Sequence, residues 1–440
     1  MLTPRDNELI TRVGRGTPMG EALRRYWLPA LLSSDLPQPD APPVRVRLLG
    51  EDLVAFRDTR GRVGLLEELC PHRLASLFLG RNEEEGLRCV YHGWKFNVSG
   101  ACVDMPNEPL ETRFKEKVRA GSYPCIELGD VIWAYLGPAD WTPPAPDFEW
   151  TRAPVSHRYV SKTLEYCNYL QAIEGGMDSV HSNFLHNNFL ADKTGSRVAR
   201  LKNRSERWER LEVERTTYGL RYGAIRDALP EEGDGLDWVH VHQFVLPFHQ
   251  LRGGGRSRNG DVLPKCNGHM WVPMDDETTC VFNWILATEP HQPLPLDVAL
   301  KEEADYGRGP DGESFTRRRT RANDWLIDRA TQRTRTFSGI EGVNTQDLAV
   351  QESMGPIVNR TREHLGTTDR AVIVVRQMLL EAARDVAEGA QPVGHDPAAY
   401  GRIRSAVMVL PKGARWQESD LLIAPQTAAQ QAPLSTAASD

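Results

Sequence analysis

Hydrophobic and polar positions follow two different periods along the chain. Apolar and charged residues alternate from Val44 onward, and turn-forming residues stand at 50–52 and 58–61, so residues 44 to 66 are predicted to form antiparallel hairpins. A helical period instead runs over residues 7 to 32 and stops before a Pro-rich stretch. The beginning of the chain is therefore predicted to be a helical arm followed by a β domain.

Beyond residue 130 the pattern is mixed. Strand patterns are followed by one long helical segment from Asp369 to Glu388, with Thr368 as its expected N-cap and Gly389 as its end. A helix is also expected near residues 165 to 182. The strand patterns lie at 131–136, 157–163, 239–246, 269–273 and 278–286.

The sequence 143–146, Pro-Pro-Ala-Pro, predicts a domain boundary. The expected organisation is an arm over 1–43, a first domain over 44–142, a second domain over 143–412 and a disordered tail over 413–440. The predicted fold class is α+β, with an all-β first domain and a helix-capped antiparallel sheet in the second.

Two short segments in the first domain each combine one cysteine with one histidine. Cys70 and His72 are separated by one residue, and Cys89 and His92 by two. Two loops that each supply one thiolate and one imidazole are typical of a Rieske [2Fe–2S] cluster. A structural zinc ion is the alternative, but zinc sites usually begin with two cysteines two to four residues apart. The spacing therefore favours the cluster.

A second metal site is predicted in the second domain. His181 and His186, together with a carboxylate from elsewhere, could form the two-histidine, one-carboxylate site that leaves open positions on Fe(II). Taken alone the pair is a weak signal, because two histidines beside Phe184 and Phe189 are more often hydrogen-bonded core residues. The cluster motif upstream strengthens the iron interpretation, since a one-electron cluster needs an acceptor.

These motifs together resemble the Rieske non-haem iron oxygenases, specifically the alpha (oxygenase) subunits of the phthalate dioxygenase family. The resemblance also includes residues 11–20, Thr-Arg-Val-Gly-Arg-Gly-Thr-Pro-Met-Gly, and residues 346–357, and it covers about residues 1 to 412. It implies an N-terminal Rieske domain over 44–142 and a catalytic domain with mononuclear iron over 143–412. The implied cofactors are the [2Fe–2S] cluster and Fe(II), with O2 as cosubstrate.

The resemblance also assigns the third iron ligand and a bridging residue. It implies that Asp347 completes the site with His181 and His186, although Asp324, Asp328, Glu341 and Glu352 are nearby rivals by sequence. It further implies that Asp178, three residues before His181 and one helical turn away, links His181 to a cluster histidine of a neighbouring subunit, either His72 or His92.

Composition excludes several other classes of function. The net charge of −7 in 440 residues argues against nucleic acid and against anionic membrane surfaces as partners. No stretch approaches the roughly 20 apolar residues that a membrane-spanning helix needs, and the first residues lack a signal-peptide core. Seven dispersed cysteines do not form a disulfide framework, so a cytoplasmic location is expected.

No dinucleotide-binding loop is evident. Residues 14–20 approach the G-x-G-x-x-G pattern, but the last interval is one residue too long and no strand precedes it. Electrons must therefore come from another protein, which the resemblance implies is a reductase with flavin and a [2Fe–2S] cluster. The resemblance also implies a homotrimer or stacked trimers, since electron transfer in this family crosses a subunit boundary.

The substrate is the least determined element. Family members that act on aromatic carboxylates bind the acid with arginine, and Arg207 is the expected contact among Arg200, Arg204, Arg207 and Arg210. His240, His242, Phe244 and Leu246 share one strand face that could line a pocket, with core packing as the favoured alternative. That face supplies no guanidinium, so a substrate with two carboxylates is not assured.

Three functions remain open from the sequence. The favoured one is hydroxylation or cis-dihydroxylation of a small aromatic, carboxylated substrate in aromatic catabolism. The second is O- or N-demethylation of a methoxylated or methylated aromatic acid, which no residue separates from the first. The third is an electron-transfer protein without oxygenase activity, which would hold two irons per chain where an oxygenase holds three.

Overall fold

The computed structural model describes residues 2–187, 209–253, 265–307, 318–394 and 397–424. Within those ranges, none of the helices combines the length and the apolar character that crossing a bilayer demands.

The part of the chain before residue 136 contains three small antiparallel sheets. The hairpins predicted for residues 44 to 66 are confirmed, because three consecutive strands pair there in sequence order. The sheet orders are β1-β11-β10, β2-β3-β4-β9 and β5-β6-β7-β8. The strands are β1 (Trp27–Leu32), β2 (Val44–Leu48), β3 (Glu51–Arg57), β4 (Val63–Glu67), β5 (Arg81–Glu83), β6 (Gly86–Arg88), β7 (Lys95–Phe96), β8 (Cys102–Asp104), β9 (Ser122–Tyr123), β10 (Cys125–Leu128) and β11 (Val131–Tyr135).

The predicted N-terminal helical arm is only partly correct. Two short helices, α1 (Pro4–Thr11) and α2 (Pro18–Leu23), begin after the N-caps Thr3 and Thr17. The expectation of helix up to residue 32 is wrong, because β1 pairs with β11. Five of the six β1 residues are buried, and a strand without a polar face shows no alternation that would distinguish it from a buried helix.

A large antiparallel sheet forms the centre of the second part of the chain. Its order is β12-β18-β17-β16-β15-β14-β13, and β19 pairs with β15 beyond the end of β16. The strands predicted near 157–163, 239–246, 269–273 and 278–286 are confirmed. The strands are β12 (Arg158–Glu165), β13 (Arg210–Arg215), β14 (Gly219–Asp227), β15 (Leu236–Val245), β16 (His249–Gly253), β17 (Lys265–Pro273), β18 (Thr279–Ala287) and β19 (Val407–Pro411).

Helices pack on this sheet and differ at their ends from the predicted ones. The helix expected over 165–182 ends at Met177, and the long C-terminal helix starts after Asp369 and not after Thr368. Gly389 has the positive φ of +83° that favours glycine after a helix end. The helices are α3 (Glu149–Arg152), α4 (Tyr169–Met177), α5 (Leu296–Tyr306), α6 (Arg329–Thr334), α7 (Val343–Ser353) and α8 (Arg370–Ala387).

The prediction of a disordered tail over 413–440 is wrong for residues 413–424. Trp416 is buried, and its indole N–H donates to Glu212 Oε2 at 2.9 Å. Its ring packs on Gly223, where a Cβ atom would lie 2.9 Å from the ring. Leu422 and Ala424 are also buried, so a few anchoring residues fix a segment whose overall composition is polar. For residues 425–440, which lie outside the described ranges, disorder stays a prediction.

The hydrophobic core is continuous across the expected domain boundary. One cluster of buried residues runs from Ile10 to Ile403 and includes Trp133 and Phe148, on either side of residue 143. A smaller core around Phe56, Leu77 and Phe96 lies in the first part of the chain. The boundary at residue 143 therefore stays a prediction.

Candidate active site and metal centres

The two Cys-His segments form tight loops above the smaller core. The amide of Leu74 donates to the carbonyl of Cys70 at 2.9 Å, and the amide of Gly93 donates to that of Cys89 at 3.0 Å. Gly93 has φ +79°, a conformation that a side chain would strain, so glycine is required for the second turn. Each loop thus turns its cysteine and histidine back toward the other loop.

The four side chains of these loops meet at one place. The rings of His72 and His92 lie 4.3 Å apart, and His72 stacks on Trp94 at 4.2 Å. The thiols of Cys70 and Cys89 are buried, and burial followed by the charge of Cys89 raises the pKa of Cys70 to about 11. His72 Nδ1 is also buried and has no hydrogen-bond partner. Buried donors without partners fit metal ligation.

The spacing of these donors fits a two-iron cluster better than a zinc ion. No three of the donor atoms of Cys70, His72, Cys89 and His92 lie close enough together to share one ion. A tetrahedral zinc ion needs all four of its ligands within reach of a single point, whereas a [2Fe–2S] cluster places its two thiolates and two imidazoles on different irons.

Apolar side chains surround the loops and face solvent in the single chain. Leu69, Leu74, Val90 and Tyr91 are each more than half exposed, and the guanidinium of Arg73 lies 5.3 Å from the ring of Tyr91, which links the two loops. Exposed apolar side chains that lie together are typical of interaction sites.

The second candidate centre contains His181, His186 and Asp347. His181 lies in a 3-10 turn, Val180–Asn183, that follows α4, and Asp347 lies on α7. Asp347 Oδ1 is 3.3 Å from His181 Nε2 and 3.1 Å from His186 Nε2, and the two Nε2 atoms are 3.2 Å apart. Among the residues that the structure describes, these form the single group with the spacing of metal ligands.

These three distances fit one face of an octahedral metal site. Ligand bonds of about 2.1 Å at right angles would place adjacent donor atoms about 3.0 Å apart. Two imidazoles and one carboxylate are the donor set of non-haem Fe(II) oxygenases, which leave the opposite positions open. The residues present therefore fit a mononuclear iron.

Charge within this group is strongly coupled. Burial opposes the imidazolium form of His181, but the carboxylates of Asp178 and Asp347 overcome it and raise the pKa of His181 to about 9. Burial likewise opposes the ionised form of Asp347, yet the two histidines hold its pKa far below the ordinary value. The site thus attracts positive charge, which a divalent cation would supply in place of protons.

Asp178 does not lie on the helix that the sequence suggested. It is the C-cap of α4 in an extended conformation, so the expectation that it shares a helical face with His181 is wrong. Its Oδ1 accepts from the amides of Val180 at 2.8 Å and His181 at 3.3 Å, which shapes the turn. Its Oδ2 lies 3.7 Å from His181 Nδ1, and the side chain is 30% exposed. One carboxylate oxygen therefore faces His181 near solvent.

Two glycines let α4 approach its neighbours closely. A Cβ atom on Gly175 would lie 1.9 Å from Gln351 Nε2, and one on Gly176 would lie 2.2 Å from the ring of Trp271. The preceding Glu174 accepts from Arg360 Nε at 2.8 Å and from Arg376 Nε at 2.6 Å. Because this ion group is buried, it fixes the helix that leads into the histidine turn.

The rival acids for the third ligand have other contacts. Asp328 accepts from the amides of Ala330 and Thr331 as the N-cap of α6, and Glu341 is an exposed partner of Arg319. Glu352 accepts from the amide of Tyr166 at 3.0 Å. Asp324 forms a backbone turn with positive φ. None of these four acids lies with the two histidines in the described metal-ligand group.

A cavity adjoins His181 and Asp347. The sheet supplies one wall and α4 and α7 the other. Its lining residues are Thr163, Glu165, Gly175, Gly176, His181, Arg252, His269, Trp271, Val281, Asn283, Asn344, Asp347, Leu348 and Gln351.

Arg252 is a cavity residue that the sequence analysis missed. It is the one arginine or lysine in the cavity lining, and among the described residues it forms no ion pair. Glu165, which also lines the cavity, lies at the side of the cavity opposite Arg252, since three strand steps separate its strand β12 from β16. The sequence did offer a signal for Arg252. Residues 249–252 lie in one strand, and alternate residues of a strand share a face, so Arg252 is placed on the same face of the sheet as Gln250.

None of the described residues among the predicted substrate contacts lines the cavity. Arg207, with Arg200 and Arg204, lies outside the described residues. Arg210 pairs with Glu212 and Asp237 and does not line the cavity. The face of β15 packs in the core, as favoured: Phe244 and Leu246 belong to the main cluster, and His242 stacks on Tyr222 at 4.7 Å.

Comparison with known proteins agrees with this geometry. Residues 26–115 match the Rieske [2Fe-2S] domain, and residues 134–437 match the LigXa C-terminal domain like family. The chain is 39% identical over 437 residues to the 3-chlorobenzoate-3,4-dioxygenase oxygenase subunit of Comamonas testosteroni, covering 95% of this chain and 97% of the relative. The chain belongs to the Rieske aromatic-ring-hydroxylating oxygenases, as an alpha subunit.

Other relatives support the same membership. The phthalate 4,5-dioxygenase oxygenase subunit of Pseudomonas putida is 37% identical, with 95% of this chain and 94% of the relative covered. The 5,5'-dehydrodivanillate O-demethylase oxygenase subunit of a Sphingobium strain is 31% identical over 90% of this chain and 85% of the relative. As a Rieske oxygenase, the chain is an oxidoreductase that takes a [2Fe–2S] cluster, a mononuclear iron and O2.

Solved structures share the fold. Dicamba monooxygenase bound to dicamba aligns with a TM-score of 0.57 at 18% identity, covering 83% of this chain and 99% of that chain. NdmA of Pseudomonas putida CBB5 with caffeine aligns with a TM-score of 0.60 at 20% identity, covering 90% and 100%. The predicted α+β class, with a β Rieske domain and an antiparallel catalytic sheet, is therefore confirmed.

We predict that Asp347→Ala removes one iron per chain and leaves the Rieske cluster intact, because it deletes one of three converging donors while the cluster loops lie elsewhere. Iron and acid-labile sulfide analysis, together with the visible spectrum of the cluster, measures both. Asp328→Asn, at a rival acid, should keep three irons. Retention of the third iron by Asp347→Ala would assign the ligand to another carboxylate.

Proposed function

We propose that this Rieske oxygenase hydroxylates or cis-dihydroxylates a small aromatic acid, with His181, His186 and Asp347 holding the iron and Asp178 acting in electron transfer. Cys70, His72, Cys89 and His92 would hold the cluster. The observation that carries this proposal is a cavity lined by two of the three converging donors, His181 and Asp347, and by one guanidinium without an ion pair among the described residues, Arg252.

The bound groups supply the redox chemistry: the cluster passes single electrons, and the iron binds and activates O2. The chain itself binds and orients the substrate. Trp271, Val281 and Leu348 give the cavity an apolar wall for a ring, while Thr163 and Asn283 give polar contacts. Such a lining holds an aromatic ring and excludes bulk water.

Recognition of a carboxylate is the role we propose for Arg252. A guanidinium binds a carboxylate through two parallel hydrogen bonds, and the interaction is stronger away from water. The relatives named for 3-chlorobenzoate and phthalate act on aromatic acids, which fits this chemistry. Arg207 stays a prediction as a second contact.

The test of the function is product analysis under labelled O2, with the purified oxygenase, a surrogate reductase, NADH and a panel of benzoates, phthalates and methoxybenzoates. We expect a hydroxylated or diol product from an aromatic acid, with one or two labelled oxygens. Formaldehyde with a free phenol, and no ring oxygenation across the panel, would contradict the proposal in favour of demethylation.

We predict that Arg252→Leu raises the KM for the carboxylated substrate about 10- to 100-fold, because a charge-assisted hydrogen-bonded pair contributes about 1.5–3 kcal/mol. Steady-state kinetics with the acid and with its carboxamide analogue measures the loss. The KM for the carboxamide should differ less between wild type and Arg252→Leu than the KM for the acid does. Arg215→Leu is the matched control, since Arg215 pairs with Glu381 on the surface. An unchanged KM for Arg252→Leu would remove the residue from recognition.

We further propose that the functional unit is a homotrimer, or stacked trimers, in which a cluster histidine of one copy meets Asp178 of another. The 30% exposed side chain of Asp178 and the exposed apolar residues Leu69, Leu74, Val90 and Tyr91 support this proposal. A carboxylate between two imidazole N–H groups holds both rings in fixed orientation. A separate flavin and [2Fe–2S] reductase would supply the electrons, and a cytoplasmic location stays a prediction.

We predict that Asp178→Asn keeps three irons per chain but lowers turnover at least about 100-fold, because an amide would turn an N–H toward His181 where the carboxylate accepts. Iron analysis and single-turnover oxidation of the reduced cluster measure the two effects. Asp297→Asn, on the exposed first turn of α5, is the control. Wild-type turnover of Asp178→Asn would contradict the proposed role of Asp178 as a bridge between His181 and a cluster histidine.

A complementation experiment separates transfer between subunits from transfer within one chain. Coexpressed Cys89→Ser and Asp347→Ala chains each lack one centre, so neither is active alone. In each mixed trimer one of the three subunit contacts would join an intact cluster to an intact iron site. Recovered turnover supports the trimer proposal, and its absence in verified mixed trimers contradicts it.

A further inference from the structure

Gln346 lies directly behind one of the proposed iron ligands. It precedes Asp347 on α7 and is 7% exposed. Its Oε1 is 2.7 Å from His186 Nδ1, and its Nε2 donates to the carbonyl oxygen of Ile340 at 2.7 Å. The side chain therefore connects a backbone carbonyl to the histidine ring.

The backbone carbonyl decides which way the Gln346 amide points. A carbonyl oxygen only accepts hydrogen bonds, so the group that faces Ile340 must be the NH2. The amide oxygen consequently faces His186, and it too can only accept. His186 must then carry its hydrogen on Nδ1, which leaves the lone pair on Nε2. That Nε2 atom is the one 3.1 Å from Asp347 Oδ1.

The two histidines of the site are supported by different groups. His181 Nδ1 faces the carboxylate of Asp178 at 3.7 Å, whereas His186 Nδ1 faces a neutral amide. A carboxylate behind a ligating imidazole increases its basicity, and an amide fixes the tautomer without adding charge. The chain thus has one charged and one neutral support behind its iron ligands.

We propose that Gln346 is a positioning residue that holds His186 as its Nδ1–H tautomer and so presents Nε2 to the iron. The proposal rests on the ligand set given under Proposed function. It extends that set to a relay in which the Ile340 carbonyl orients Gln346 and Gln346 orients His186.

The test compares variants by their affinity for Co(II) at the mononuclear site, measured by chelator competition with the cluster in place. Gln346→Met keeps the length of the side chain but removes both hydrogen bonds. We expect it to weaken Co(II) binding about 10- to 100-fold. The electronic spectrum of bound Co(II) should also change, since the ring of His186 loses its fixed orientation.

Gln351→Met is the matched control. Gln351 lies on the same helix and is also 7% exposed, but it contacts neither histidine in the described structure. It lines the cavity, so its turnover can change, yet its Co(II) affinity should stay within about twofold of the wild type. Equal losses in Gln346→Met and Gln351→Met would reduce the effect to packing and overturn the proposal.

Gln346→Glu provides the conservative rescue. Its carboxylate still accepts from His186 Nδ1, so we expect Co(II) affinity above that of Gln346→Met even though the contact to Ile340 is lost. If Gln346→Met does not fold, as judged by a lost cluster spectrum, Gln346→Glu becomes the deciding variant. A Co(II) affinity of Gln346→Glu that is 10-fold or more below the wild type would then overturn the role of Gln346 as hydrogen-bond acceptor for His186. Wild-type affinity in Gln346→Met overturns it as well.

His186→Ala distinguishes this proposal from the ligand assignment. Loss of Co(II) in His186→Ala with wild-type affinity in Gln346→Met would contradict only the role of Gln346. Retention of Co(II) in His186→Ala would instead contradict the ligand set on which the role depends.

Discussion

The close packing of α4 between the sheet and α7 is the constraint on which the iron site depends. Gly175 and Gly176 have no side chains, so Gln351 and Trp271 lie where Cβ atoms would otherwise be. This contact brings the turn after α4 to within hydrogen-bonding distance of Asp347, which is 161 residues farther along the chain than His186. A Cβ atom at Gly176 would meet the ring of Trp271 and push α4 away from the sheet, whereas a Cβ atom at Gly175 would meet the end of the Gln351 side chain, which can move aside.

Charged groups are arranged in two separate places in this region. Two arginines neutralise Glu174 at the base of α4, while the acids near the histidines leave the metal site electronegative. Burial of that acid surplus is costly without a cation. Arg252 adds positive charge at another wall of the same cavity. The cavity can therefore hold a cation and an anionic substrate at separate places.

Motifs with fixed spacing were predictable from the sequence, and contacts between distant segments were not. The proposed cluster ligands lie in two short loops, and the residues of each loop are nearly consecutive in the sequence. The strands of the large sheet were predicted from alternation, but β1 was not, because its burial on both faces removes the alternating pattern. Gln346 gave no local signal, since its role arises from the carbonyl of Ile340, and alternation could place Arg252 on a strand face but could not locate the cavity. Trp416 likewise contacts residues far along the chain, Glu212 and Gly223, which its own segment does not reveal.

The spacing of the two centres along the chain also sets the order in which they can form during synthesis. The four proposed cluster ligands fall between residues 70 and 92, and the small sheets are complete by Tyr135. The proposed iron site needs α7, so its third donor leaves the ribosome more than two hundred residues later. The two centres therefore differ in how much of the chain must be synthesised before all of their donors exist.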